Sequence, residues 1–485
     1  MYRVFTILFL MLGHSTLLAK TYTLEDIVRM TVAKNVTVEN AAIARMLQRY
    51  DVAVAENAFD PKYQLSGQAN YLDITEDGQK YSQKTINAQP GVSLRSPIGT
   101  EFQFFWENTA FLKNGDDPSS FKSIPAFMIT QPLLKNFGKT VNTDSLQSAY
   151  EQETLNVLAY RSVLNTAITG SVHAYYDMIA ASMNLQIQEA ALQRAQKLKD
   201  RTMHLIEEGR LPKNEMFEVN SQVNQQSLNI SQAKLQLNQA RFKLLQQVDF
   251  SIDDPEIFDI DHTIHLTQIF PKPKLAQKLA FQFNGAYNQA SVAEVQAKRQ
   301  MEIAKNQNEW QLDLNLKQEF NNGESTDNFG NAINNLGDLD TRSTSVGVSF
   351  AMPLGNDLSR KRQVVAARVQ TLQSSLNKKA IQNSLENKIA TDLESLKILK
   401  ESLKNQEATA QMRKKSAESA SLKYNEGMIS AFELTTVQDS LTAAERAVVE
   451  SKIALAKALA DFDATLGTTL TTWHVQFEKM DQRFE

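Results

Sequence analysis

The sequence predicts an α+β membrane protein: amphipathic strands that line a β-barrel, long helical hairpins that continue it, and a tandem repeat that contains both. Three observations carry this reading. Each half of the chain has a pair of long helical stretches with almost no Pro or Gly, each pair follows segments that alternate apolar and polar residues, and the second half repeats the first at a fixed offset.

The last hairpin, 357–466, is the most legible element. Its second arm places Leu434, Leu441, Val448, Leu455 and Phe462 seven residues apart, a heptad stripe that asks for a helix alongside it. At the break between the arms, Gly427 suits the left-handed conformation that closes a helix, and Ser430 to Glu433 has the S-x-x-E form of a capping box. An arm of roughly seventy residues, at about 1.5 Å per residue, reaches on the order of 100 Å. A compact soluble domain has no use for such a rod.

The 485 residues carry a net charge of −4, which gives no electrostatic footprint for nucleic acid. Residues 1–19 combine Arg3, an apolar core from Val4 to Leu12 and a small residue, Ala19, at the expected cleavage position, and read as a secretory signal peptide. With no Cys anywhere, disulfides, thiolate metal sites and a lipid anchor on an N-terminal Cys are excluded. Beyond the signal, no apolar run approaches the roughly eighteen residues a transmembrane helix needs. If this exported chain meets a membrane, it must do so with strands.

Repeat 1, residues 20–248, opens with short helices and runs through strands at about 63–131 into a helical hairpin over 141–248. In its first arm Leu164, Ile168, Val172, Tyr175 and Ile179 form a packed stripe. The second arm carries Met216, Val223, Ile230, Leu237 and Leu244, each 218 positions before its counterpart in the last hairpin; Gly209 and Glu215 precede Gly427 and Glu433 by the same offset. Gln131-Pro132-Leu133 likewise corresponds to Met352-Pro353-Leu354, each between a strand and a long helix. Residues 249–273 form a linker. Repeat 2, 274–467, restarts with short helices, continues through strands at about 310–352 and ends in the hairpin 357–466, leaving 468–485 as a tail beside the linker.

Leu312, Leu314 and Leu316 face one way while Asp313, Asn315 and Lys317 face the other, and Val346, Val348, Phe350 and Met352 repeat the pattern across an Asn/Gly/Asp-rich loop at 321–340. One apolar and one polar face fit either a half-buried soluble sheet or a membrane barrel with a wet lumen. Too few other apolar elements exist to cover the sheet, and the cluster Phe102, Phe104, Phe105, Trp106 and Phe111 reads as an interfacial aromatic girdle, so the barrel is favoured. Four to six strands close no transmembrane barrel and lipid tolerates no open edge, so further copies of the chain must supply the rest. Three chains would set twelve helix rows in a ring roughly 40 Å across, too wide for side chains to fill. The Asn/Gln/Ser-rich stretch 220–247 suits the wall of such a tunnel.

This order of signal, short helices, strands, P-L motif and glycine-tipped hairpin, all repeated, resembles the TolC-like outer-membrane efflux proteins over nearly the whole mature chain. Residues 131–138, Gln-Pro-Leu-Leu-Lys-Asn-Phe-Gly, are similar to a motif variant found in part of that family. The resemblance implies a homotrimer in the outer membrane of a Gram-negative bacterium, with four strands per chain in a twelve-stranded barrel surrounded by lipid. It also implies a helical tunnel through the periplasm, with an inner-membrane transporter and a periplasmic adaptor docking at the turns of Gly209 and Gly427, as in tripartite efflux or type I secretion. Neither a cofactor nor an enzyme activity is expected. Repeat 1 departs from the pattern: 61–132 is about 28 residues longer than 310–353, and Ser96-Pro97-Ile98-Gly99 is placed to turn an additional hairpin.

The family's gate maps onto the tips. Its acidic ring, six residues after the second glycine, is Glu433, while the second ring position is Thr436; its gate tyrosine is Tyr424. Its basic partner is replaced by Ile429 and the acidic partner in repeat 1 is matched by Glu215, so the ionic lock is absent and a Tyr424–Glu215 hydrogen bond is the remaining candidate. Three symmetric copies of Glu433 would favour cations in the pore. The same residue is N3 of a capping box, and the two roles coexist when the carboxylate is free of the box.

No catalytic constellation stands out. His262 and His265, with Asp253, Asp254 and Glu256, read as solvated linker residues rather than metal ligands. Arg360-Lys361-Arg362 is either a solvated helix start or a contact for lipid phosphates. Two other classes compete: a periplasmic adaptor, which carries one hairpin in a β domain, and a coiled-coil surface structural protein, which needs no repeated amphipathic strands.

Overall fold

A complete capping box opens the first helix: Thr23 Oγ1 accepts from the Asp26 N–H at 3.2 Å, and the Asp26 carboxylate accepts from the Thr23 N–H at 3.1 Å. After strand β1 (Thr21–Tyr22), helix α1 (Leu24–Lys34) ends at Asn35, whose Oδ1 accepts from the Thr37 and Val38 N–H groups and so starts α2 (Val36–Glu56). There follow β2 (Lys62–Glu76), β3 (Gln79–Arg95), β4 (Glu101–Lys113), β5 (Ser120–Pro132), α3 (Lys139–Asn142), α4 (Asp144–Glu207) and α5 (Glu215–Gln247). The remainder is β6 (Asp259–Ile260), α6 (Pro273–Phe283), α7 (Gly285–Gln307), β7 (Gln311–Phe320), α8 (Phe329–Asn334), β8 (Arg342–Ala351), α9 (Leu358–Asn425), α10 (Ala431–Leu466) and α11 (Thr469–Thr472). The computed structural model describes residues 21–76, 79–113, 120–250, 259–264, 266, 270–320, 326–334, 342–355 and 357–476. Residues 1–19, expected to be a signal peptide, and His265, Asp253, Asp254 and Glu256 lie outside them.

Two compact units are built from alternating stretches of the chain. The first comprises Met1–Ile43, Tyr160–Gly285 and Ser384–Glu485. Its core gathers Ile27 and Val28 of α1, the five-residue α4 stripe Leu164, Ile168, Val172, Tyr175 and Ile179, Leu244 and Leu245 of α5, and Val449 and Ile453 of α10. All five stripe residues are buried, as their spacing predicts. Asp177 ties three helices together by accepting from Lys243 at 3.0 Å and from Lys457. Burial alone would raise its carboxyl, but these two bonds outweigh that and hold it below the usual range. His262, expected in solvent, instead packs half-buried with Nε2 2.8 Å from Ser182 Oγ on α4, because β6 pairs with β1 and draws the linker onto the helix.

The second unit comprises Ala44–Ala159 and Ala286–Asn383. Among the described residues its six strands form one antiparallel sheet in the order β2-β3-β4-β5-β7-β8. The registers Tyr63↔Val92, Val92↔Phe104, Phe104↔Phe127, Ile129↔Leu316 and Leu314↔Val348 put these residues on one face, because directly opposed residues of an antiparallel pair share a side. That face is apolar and largely uncovered: Tyr63 is 81% and Val348 64% exposed. Among the described side chains, the opposite face carries Lys62, Arg95, Lys122 and Lys317 against Glu101, Glu107, Asp313 and Glu319, set among Gln, Asn, Ser and Thr. The face is therefore polar and balanced in charge.

Two expectations change here. The resemblance implies four strands per chain, whereas the sheet has six, because Ser96 to Gly99 does turn an additional hairpin, β3–β4. The girdle also splits: Phe102, Phe104 and Trp106 lie on the apolar face, while alternation sends Phe105 and Phe111 to the polar one, where Lys317 Nζ sits 5.9 Å from the Phe105 ring. Arg360, placed in a basic run at the start of α9, is paired with Asp357 at 3.1 Å, so that charge is already partnered in the helix's first turn.

Candidate functional site at the helical tips

Both tips close with the same hydrogen-bond motif. At the end of α4 the Gly209 N–H donates to Ile206 O (3.0 Å) and the Arg210 N–H to Leu205 O (2.9 Å). At the end of α9 the Gly427 N–H donates to Tyr424 O and the Met428 N–H to Lys423 O, both at 2.9 Å. These are Schellman closures, and they require the positive φ of 71° at Gly209 and 75° at Gly427.

The two tips pack on each other. Leu198 and Leu205 of α4, Val219 of α5, Ala420 and Tyr424 of α9, and Ala431 and Leu434 of α10 form one buried cluster. Tyr424 is 1% exposed, with its hydroxyl 2.7 Å from Thr202 Oγ1. Thr202 already donates to Leu198 O at 2.8 Å, so the phenol is the donor of the pair. Burial pushes the Tyr424 pKa up, and the nearby Glu215 charge adds to this. The expected Tyr424–Glu215 hydrogen bond is thus replaced: Tyr424 bonds to Thr202, and Glu215 Oε2 accepts from the Ala431 N–H at 3.3 Å. Glu215 is a negative charge at the N-terminus of α10, where the helix dipole favours one.

Ser430 Oγ accepts from the Glu433 N–H at 3.2 Å and caps α10. The returning bond from the Ser430 N–H to the Glu433 carboxylate does not form among the described residues, so that side chain is exposed and free of the box. Thr436 Oγ1 turns back to Phe432 O at 2.9 Å. Around the turns Met428, Phe432 and Phe217 are 69%, 66% and 79% exposed.

Several tip residues escaped sequence reasoning. Arg194 of α4 reaches α10, donating to Thr442 Oγ1 at 2.8 Å and pairing with Glu445 at 3.4 Å. Asp439 accepts from Gln222 at 2.9 Å and from Gln226 at 3.4 Å, and its partial burial raises its carboxyl above the usual range despite the Gln222 bond. The buried seam of α5 runs through Val219, Gln226 and Ala233, while Met216, Val223, Ile230 and Leu237 of the sequence stripe are only half-buried. A Gln at heptad spacing from Val219 was the available signal.

At the strand-to-helix motifs, the Leu133 N–H donates to Leu312 O at 2.7 Å, extending the β5–β7 pairing past the buried Pro132. Pro353 and Leu354 follow β8, with Leu354 89% exposed.

No protein-family model matches the sequence, and no curated protein matches it. Solved structures do. The CmeC outer membrane channel of Campylobacter jejuni superposes with a TM-score of 0.68 at 12% identity, covering 95% of this chain and 90% of that one. The outer membrane protein VceC of Vibrio cholerae gives 0.67 at 14% identity (92% and 96%), and the open-state MtrE outer membrane channel of Neisseria gonorrhoeae 0.65 at 13% (92% and 89%). This chain has their fold.

Proposed function

We propose that this chain is an outer-membrane exit duct of a Gram-negative bacterium, receiving its cargo from an inner-membrane transporter through a periplasmic adaptor. The observation that carries the reading is the six-stranded sheet, with one exposed apolar face and one polar, charge-balanced face. That is the chemistry of a barrel wall between lipid and water, and it has no counterpart in an enzyme cleft or a surface coiled coil. The fold shared with outer membrane channels supports it. So does the identical closure of both tips 218 positions apart, which fits a tandem repeat with halves 20–248 and 274–467.

In this reading the chain is a homotrimer. Pro132-Leu133 and Pro353-Leu354 mark where wall strands hand over to duct helices, and the turns at Gly209 and Gly427 receive the adaptor. Exposed Met428, Phe432 and Phe217 are the apolar surface such a partner would cover. Tyr424, Glu215 and Glu433 form the gate, held by neutral and backbone hydrogen bonds instead of an ionic lock.

Detergent extraction of membranes followed by an unheated gel tests the reading. A heat-modifiable, detergent-dependent trimer in the outer-membrane fraction is expected; a monomer that stays soluble without detergent would overturn it.

A further inference from the structure

We infer that each chain gives the membrane wall six strands rather than four, so that three copies close an eighteen-stranded barrel in which β8 of one copy pairs with β2 of the next. The inference rests on the proposed homotrimer and specifies its membrane part.

The additional hairpin is intercalated. β3 and β4 lie between β2 and β5, and every inner strand is paired along both edges, so no four-stranded sheet exists for the hairpin to decorate. All six strands are long enough to cross a bilayer, which takes about nine to eleven tilted residues: the shortest, β7 and β8, have 10 each, and β3 has 17. The hairpin also carries the wall's chemistry, with Ile86 and Phe102 on the exposed apolar face and Gln89 and Gln103 on the polar one. A hairpin confined to water would have no use for that segregation.

Its turn is socketed. Arg95 donates to Asn142 Oδ1 at 2.9 Å, Asn142 Nδ2 donates to Asn136 O at 2.8 Å, and the Gly138 N–H donates to Ile98 O at 3.2 Å. The connection after β5 is thereby built around the hairpin, not merely adjacent to it.

The free edges name their occupant. Among the described residues β2 and β8 each have one unpaired edge, and neither contains Pro. Unprotected edges of this length are excluded in lipid. With an even number of alternating strands, β8 runs antiparallel to β2, so a second copy joins in the pairing used throughout the sheet. On both edges the apolar residues share the outward face, Leu65 on one and Val348 on the other, so the junction continues the same two faces. Because barrel diameter grows roughly linearly with strand number, the ring is about one and a half times as wide as one with four strands per chain.

Natural absence of Cys makes the test direct on the full chain. In outer membranes or proteoliposomes, a membrane-impermeant thiol reagent should modify Gln89→Cys and Gln103→Cys several-fold faster than Ile86→Cys and Phe102→Cys. Equal rates on the two faces would place the hairpin outside the bilayer and overturn the inference. Separately, Leu65→Cys combined in turn with Val346→Cys, Val348→Cys and Phe350→Cys should oxidise, in the pair that matches the register, to a covalent ladder reaching trimer on a denaturing gel. No ladder from any pair, with the unheated gel still showing a trimer, overturns the β8–β2 junction while leaving the exit-duct reading intact; loss of the trimer itself removes that reading.

Discussion

Tyr424 and Thr202, 222 positions apart, meet across the two helical tips with 2.7 Å between their hydroxyls, and Thr202 passes the chain of bonds on to Leu198 O. A buried phenol that donates to a hydroxyl already committed to its own helix is a neutral latch. Its strength does not depend on a matched pair of charges, and salt screens it little.

Tyr424→Phe removes that bond and leaves Thr202 still satisfied by Leu198 O. Denaturant unfolding should show a loss of about 0.5–1.5 kcal/mol. The phenol is raised in the folded tip, so its contribution is complete below the ordinary tyrosine range and declines as pH rises through the raised value. The difference between parent and variant should therefore hold at neutral pH and shrink only in strong alkali.

Glu433→Gln tests the proposed acidic ring. The carboxylate is exposed and takes no part in a capping box, so the change leaves the Ser430 cap in place. Single-channel recordings should show weaker cation selectivity or weaker cation block, with the protein's folding unchanged. Identical selectivity and block would remove Glu433 from the gate.

Asp439→Asn addresses a carboxyl that burial raises while Gln222 bonds to it. A raised carboxyl favours the folded state most when protonated, below the ordinary carboxylate range, and that advantage is lost as pH rises through the raised value. The neutral amide keeps an acceptor for Gln222. Thermal unfolding should therefore show the variant more stable than the parent at pH 7, with the gap closing as pH falls through the range where Asp439 protonates.

Gly99→Ala loosens the socket of the β3–β4 turn. Gly99 has φ 97°, and a Cβ there would lie 2.7 Å from Asn136 O and from Asn142 Nδ2. Backbone strain of this kind costs on the order of 1–3 kcal/mol. The variant should unfold earlier and show faster protease cleavage at this turn, whereas an unchanged midpoint would mean that the connection after β5 shifts freely.

The long arms, their glycine closures, the alternating strands and the buried α4 stripe were legible in the sequence because each follows from a period or a cap that spans a few residues. Parity alone also states that Phe104 and Phe105 point opposite ways. Register was needed to show which of them shares a face with Leu314, because that depends on how β4, β5 and β7 align. The additional hairpin was visible as surplus length with a turn at Ser96 to Gly99. That both its strands stay in the sheet was shown only by the pairing of β3 with β2 and of β4 with β5 along their lengths.

At the tips the sequence by itself supplied the two glycines and, at the same offset, Glu215 and Glu433, while the family resemblance added Tyr424. Tertiary structure decided their partners: Thr202 for the phenol and the Ala431 N–H for Glu215, with Gln226 seated in the α5 seam and Asp439 beside it. The physical reason is the same in each case. Caps and periods act along a few residues of one chain segment, whereas a contact between groups more than two hundred positions apart is chosen by how the helices pack, and no spacing along the chain records it.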